Sequence, residues 1–171
     1  MGGKGQEVAV LSDPSEDFPF GLKSIDIIVN LTLSSQETRK LLRKAEPLLN
    51  KEVSIVSLVF EPQELAGYDT EKARTLGEES GAIISLSGSY AEKFGRLDGI
   101  RVVPLLMGPV NTEIFRDLLP AGIDMEAIAK TRTLGWIPTV DQIMNAVVFA
   151  ASDQASYITK YPFRISDAPI G

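Results

Sequence analysis

"GIRVVPLLMGPVNTEIF", residues 99–115, runs from a glycine through an apolar stretch into a Gly-Pro turn and then opens a helical piece. An apolar run of this length, closed by turn residues, reads as a buried strand over 99–106. Pro104 would forfeit a ladder hydrogen bond if that strand is central. Outward on both sides the pattern repeats. "EVAVLSD" (7–13), "IDIIVNL" (25–31), "VSIVSLVF" (53–60) and "YPFRIS" (161–166) read as further strands. Between them lie helical patterns. In 34–50, Ser34 and Glu37 form a capping-box pattern, and Leu41, Leu42, Ala45, Leu48 and Leu49 share one face. A long stretch over 69–94 is weakened by Gly77, Gly81 and Gly88, which predicts a break near 77–81. Two short pieces follow at 112–119 and 124–131. The clearest helix is 139–152, with a Thr139/Gln142 capping box and a stripe of Val140, Ile143, Met144, Val147, Val148 and Ala151. Strands alternating with helices predict a parallel sheet with right-handed crossovers. No repeat, low-complexity tract or linker divides residues 1–171, so one domain is expected.

The chain has 171 residues, 44% hydrophobic and 23% charged, the balance of a globular domain able to bury a core. It has no cysteine and no histidine. That excludes disulfides, thiolate nucleophiles, zinc–thiolate and histidine–metal sites, and every catalytic triad built on histidine. Acid–base work falls to Tyr, Lys, Asp or Glu. The net charge of −6 argues against nucleic acid or an anionic membrane as partner. No apolar run approaches the roughly 18 residues of a membrane span. "MGGKGQE" at the start is not a signal peptide, so a cytoplasmic location is expected.

Three stretches together resemble the short-chain dehydrogenases/reductases. "GIRVVPLLMGPVNTEIF" is similar to their sixth strand and the Pro-Gly turn beside the nicotinamide. "TLGWIPTVDQIMNAVVFAASDQASYIT" resembles their last helix and the loop after it, and "YPFRISDAPIG" their closing strand and tail. Upstream, "IDIIVN" resembles the fourth strand, "VNLTLSSQETRKLLRKAEPLL" the helix after it, and "VSIVSLV" the fifth strand. The resemblance implies a Rossmann-like α/β sheet, here shortened by about 80 residues relative to the family's usual length. If 7–11 is the first strand and 25–30 the fourth, the reduced sheet has the order 1-4-5-6-7.

The N-terminal part departs from the family pattern. Its Gly-rich pyrophosphate turn is replaced by Ser12, Asp13, Pro14, Ser15, Glu16, Asp17, Phe18 and Pro19. Prolines remove N–H donors, and Asp13, Glu16 and Asp17 repel a pyrophosphate. The cofactor expectation is therefore no NAD(P) binding, or weak binding. "GYDTEKA" stands where the family carries Tyr-x-x-x-Lys, which implies Tyr68 as acid/base and Lys72 as the cation that lowers its pKa. At a helix start this spacing would place both on one face. The stretch from Tyr68 to "GIRV" is about nine residues longer than the family pattern. Asn30 matches the family's asparagine ambiguously, since "VNLT" resembles both a turn after the fourth strand and the helix start that carries it. The family's serine falls near Val59 or Phe60. Ser57, two residues earlier on the same strand face, is the substitute. Pro109, Val110 and Thr112 of the Gly-Pro turn are the cofactor-facing residues the resemblance implies. No metal site is expected.

Three functions remain open at this point. One is an oxidoreductase on a small hydroxyl or carbonyl substrate. Another is a redox-silent Tyr/Lys enzyme, as the halohydrin dehalogenases are on this fold. The third is a non-catalytic homologue that serves as an assembly subunit. "IDIIVNL" and "EVAVL" are apolar on both faces, and parallel strands are normally covered on both. Phe18, Phe20 and Leu22 are candidates to fill part of the missing cover. They are too few for the area, so a homo-oligomer, or a heteromer with a full-length relative, is expected.

Overall fold

The computed structural model describes residues 17–18, 22–68 and 70–167. Four strands, β1 (Ile25–Asn30), β2 (Leu49–Phe60), β3 (Arg101–Met107) and β4 (Phe163–Ile165), form one parallel sheet in the order β1-β2-β3-β4. This is the expected Rossmann-like layout for the strands from 25 onward. The expected strand at 7–11 lies outside the described residues.

Helix α1 (Ser35–Ala45) begins where Ser34 accepts the Glu37 N–H, as the capping pattern predicts. It ends five residues earlier than 50. Pro47 turns the chain through a single 3-10 turn, Glu46–Leu48, and β2 starts at Leu49. A four-residue turn, α2 (Pro62–Leu65), follows β2. Helix α3 (Glu71–Asp98) is continuous over 28 residues, so the expected break at Gly77–Gly81 does not occur. Each glycine costs about 1 kcal/mol against alanine. Ile83, Leu86 and Tyr90 are buried on the sheet, and each large apolar side chain returns roughly 1.5–3 kcal/mol. Packing outweighs propensity here. Gly99, at φ 67°, ends the helix in the left-handed conformation.

Helices α4 (Glu113–Arg116) and α5 (Met125–Lys130) precede α6 (Val140–Ala151), whose Thr139/Gln142 capping box is formed in full. Of its predicted stripe, Ile143 and Val147 are buried, and Met144 and Ala151 partly so. Val140 and Val148 are exposed, Val148 by 66%, and Ala150 is buried in their stead. At the other end of α6, the buried Arg101 donates to the Ala150 and Ser152 carbonyls, both at 3.0 Å. A cation at a helix C-terminus satisfies orphan carbonyls and opposes the dipole.

The sheet carries a core on each face. Val53 and Ile55 of β2 pack with Leu41, Leu42, Leu86 and Tyr90 under α1 and α3. Val56, Leu58 and Phe60 pack with Phe115, Ile143 and Val147 on the α6 side. Pro104 sits within the central strand opposite Ser57, and the pairing of β3 with β4 starts one residue beyond it, at Leu105. Phe18 and Leu22 pack with Ile25 and Ile28 on the α1 side. Lys44 holds that loop, pairing with Asp17 at 3.3 Å and standing over the Phe18 ring. They therefore do not cover Ile27 and Val29, which alternate to the other face of β1 and are exposed. Phe20 lies outside the described residues.

Candidate functional site

In open parallel sheets, ligands bind outside the carboxyl ends of the strands. Here that edge is made by Glu61 after β2, the Gly108–Thr112 turn after β3, and Ser166–Asp167 after β4. The sequence-predicted residues divide into three groups around it.

Asn30 and Ser57 come together, since β1 and β2 pair them directly. Asn30 Nδ2 donates to Ser57 Oγ at 3.4 Å and to Thr38 Oγ1 at 3.0 Å, and its Oδ1 accepts from the Thr32 N–H and hydroxyl. Both are buried, and the network ties the end of β1 to α1. Its geometry meets the needs of buried polar groups from within the chain.

Tyr68 and Lys72 do not share a helix face. Thr70 is the N-cap of α3, accepting from the Ala73 N–H at 3.1 Å, so Tyr68 precedes the cap by two residues. The residue is 8% exposed, and its ring meets Phe115 edge-on at 5.7 Å. Lys72 has a side chain 68% exposed and pairs with Asp117 at 3.5 Å. No hydrogen bond joins the two. Burial pushes the Tyr68 phenol above its ordinary pKa; the nearby cation that opposes this is Arg132, and the Glu64 carboxylate adds to the rise. The phenol is therefore held protonated at neutral pH.

The Gly108–Thr112 turn is closed on itself. Val110 is buried, and its carbonyl accepts the Thr112 N–H at 2.7 Å. Thr112 caps α4, accepting from the Phe115 N–H. The Asn111 N–H donates to the Pro138 carbonyl at 3.1 Å, and Pro109 has no N–H to give.

Against this turn lies a charge cluster that the sequence analysis does not single out. Arg132 and Glu64, with side chains 10% and 7% exposed, pair at 2.7 Å. Ser166 Oγ donates to the other Glu64 oxygen. A Cβ added to Gly108 would meet Glu64 Oε1 at 2.6 Å and Ser166 Oγ at 2.7 Å, so only glycine admits this approach. Asp167 lies 3.8 Å from Arg132 and accepts the Leu134 N–H. A second pair, Glu61 and Arg164, stands alongside. Glu61 is 2% exposed, and one of its oxygens has no partner. Burial raises its pKa, the Arg164 cation opposes this, and Glu64 adds to the rise. The signal in the sequence is a glutamate set directly after eight consecutive buried strand residues.

No group of three or more potential metal ligands occurs among the described residues, and no described helix is long and apolar enough to cross a membrane.

Comparison with known proteins places the fold and the lineage. Residues 22–161 match the family model described as enoyl-(acyl carrier protein) reductase. An uncharacterized short-chain type dehydrogenase/reductase of Sinorhizobium fredii is 34% identical over 159 residues, 92% of this chain. The chain spans 27% of that relative's length. Among solved structures, a short-chain glucose/ribitol dehydrogenase of Brucella melitensis superposes with a TM-score of 0.68 at 18% identity, over 83% of this chain and 64% of its own. A blue fluorescent protein from a metagenomic library, in complex with NADPH, does so at 0.69 and 17% identity, over 85% of this chain and 65% of its own. The structural likenesses establish the fold; the family-model match over most of the chain, with the sequence relative, establishes the lineage. The chain belongs to the short-chain dehydrogenase/reductase family, an oxidoreductase family.

Proposed function

We propose that this chain is a non-catalytic member of its family that acts as an assembly module and does not use NAD(P). The observation that carries this reading is the separation of Tyr68 from Lys72: the phenol is buried against Phe115 and held protonated, while the ammonium stands in solvent on Asp117. A Tyr/Lys couple needs the cation beside the phenol to lower its pKa. Shifted toward "GIRV" by the excess of about nine residues, the two family positions fall on Gly77 and Gly81. Neither has a side chain to offer, and nothing lies within 4 Å of a Cβ placed on Gly81.

The residues at the turn do not fit a nicotinamide group. Glu64 occupies the approach to Gly108, and the N–H groups of Asn111 and Thr112 are spent on Pro138 and Val110. The assembly role is supported by apolar side chains left exposed. Ile27 and Val29 lie along one face of β1 with Leu31 just beyond it, and Val140, Val148, Tyr157 and Tyr161 lie on and after α6. Patches of this kind mark interaction surfaces.

Calorimetric titration with NADH and NADPH tests the reading. The expected result is no binding tighter than about millimolar. A micromolar dissociation constant would overturn it and restore the oxidoreductase reading. The redox-silent reading would be restored by a substrate whose turnover is abolished by Tyr68→Phe.

A further inference from the structure

We propose that Glu64, Arg132, Ser166 and Asp167 form a built-in plug: the chain's own carboxylate and guanidinium fill the space over the Gly108 turn and clamp two separate segments to the carboxyl edge of the sheet. This rests on the reading that the turn holds no cofactor.

The plug joins parts of the chain that have no local reason to meet. Glu64 comes from α2, Arg132 from the segment between α5 and α6, and Ser166 and Asp167 from beyond β4. The 131–138 segment is tied at both ends. Near its start, Arg132 pairs with Glu64, Thr133 Oγ1 donates to the Asp167 carbonyl at 3.3 Å, and the Leu134 N–H donates to Asp167 Oδ2 at 3.2 Å. At its far end the Pro138 carbonyl accepts the Asn111 N–H of the turn. The segment thus bridges the turn, and Glu64 is the anion under it. Its middle faces solvent: Leu134, at 60%, and Trp136, at 44%, are exposed, and Gly135 has φ 74°. The clamp at Arg132 and Asp167 therefore fixes its position.

Arg132 is an anion receptor whose ligand is supplied by the chain itself. Its side chain is nine-tenths buried, with Nε lacking a partner. An arginine in this setting requires a carboxylate, and removing Glu64 leaves a buried cation beside a carboxylate-sized gap. That gap has the chemistry to take a small monocarboxylate from solution.

The chain's single tryptophan, Trp136, lies in the clamped segment and reports on it. Glu64→Ala is expected to lower the unfolding midpoint by several degrees and move Trp136 emission to longer wavelength. Sodium acetate should reverse both changes in Glu64→Ala, while sodium chloride at equal ionic strength should not. Wild type should respond to neither. Asp167→Asn, which removes the charge facing Arg132 and weakens the acceptor of the Leu134 N–H, should shift Trp136 emission while leaving the fold cooperative, and it serves if Glu64→Ala does not fold. Trp136 emission unchanged in every variant that folds would overturn the plug. Recovery with chloride equal to that with acetate would overturn the carboxylate gap. These readouts use no cofactor, so they fail independently of the titration with NADH and NADPH.

Discussion

Tyr68 owes its character to what surrounds the ring. Phe115 packs on it edge-on, Phe60 packs on Phe115 in turn, and the rest of its cluster is mostly aliphatic, so the phenol contributes as core. Tyr68→Ala should cost about 3–5 kcal/mol, the range for a large aromatic deleted from a core. Lys72→Ala, which removes one exposed ion pair, should change stability by less than about 1 kcal/mol. Urea unfolding of both variants measures the contrast, and equal effects would mean that Lys72 supports the tyrosine after all. Glu61 makes a second prediction. Burial and the neighbouring Glu64 raise its pKa above the ordinary value near 4.5, so the fold binds this proton more tightly than the unfolded chain does. The stability it contributes is fully present below that ordinary value and is lost as pH rises through the raised one. Glu61→Gln lacks this step. The stability difference between variant and wild type should therefore move in favour of the variant as pH rises from about 4 to about 7. Profiles that stay parallel across that range would contradict the assignment.

At the scale of elements, α3 shows how packing and propensity divide the work. Its N-cap at Thr70 and the Gly99 terminator set the ends, and the stripe of Ile83, Leu86 and Tyr90 holds the middle. Gly81 and Gly88 add nothing to that stripe, since a Cβ at either would meet no atom within 4 Å. Both have helical backbone, so alanine there meets no strain. Gly81→Ala and Gly88→Ala should each stabilise the helix by about 0.5–1 kcal/mol, seen as a higher urea midpoint at unchanged slope. Destabilisation instead would indicate that a partner helix packs closely on this face in the assembled protein.

Across the whole molecule, apolar side chains stand on the surface and ion pairs lie in the interior. Ile27 and Val29 stand exposed on one face of β1, while Phe18 and Leu22 pack on the opposite one, where Lys44 stands over the Phe18 ring. A parallel strand with one bare face calls for cover. Sedimentation at micromolar concentration should give a particle heavier than the 18.6 kDa chain. A clean monomer that binds no hydrophobic dye would show that the cover is intramolecular. The ionic interior runs the other way. Breaking the buried Glu64–Arg132 pair should cost about 3–5 kcal/mol, more than any single surface contact.

The amino-acid order by itself determined the alternation of strands and helices, the caps at Ser34 and Thr139, the family, and the existence of the strand read at 99–106, which the structure places at Arg101–Met107. These follow from periodicity and capping chemistry, which act over a few residues. It also held a hint of the buried charges in Glu61, placed at the end of an apolar strand, because a charge there must find a partner. The break expected at Gly77–Gly81 and the exposed Val140 and Val148 show where local pattern gave way to the helix's fit on the sheet. Only the tertiary structure decided the fate of the Tyr-x-x-x-Lys spacing and the contents of the cleft. Whether four residues span a helical turn depends on where the helix begins, and Thr70 starts it two residues too late for Tyr68. Glu64 meets Arg132 across 68 residues and Ser166 across 102. No local rule links positions so far apart; the crossovers of a parallel sheet, which bring all its carboxyl ends to one edge, do.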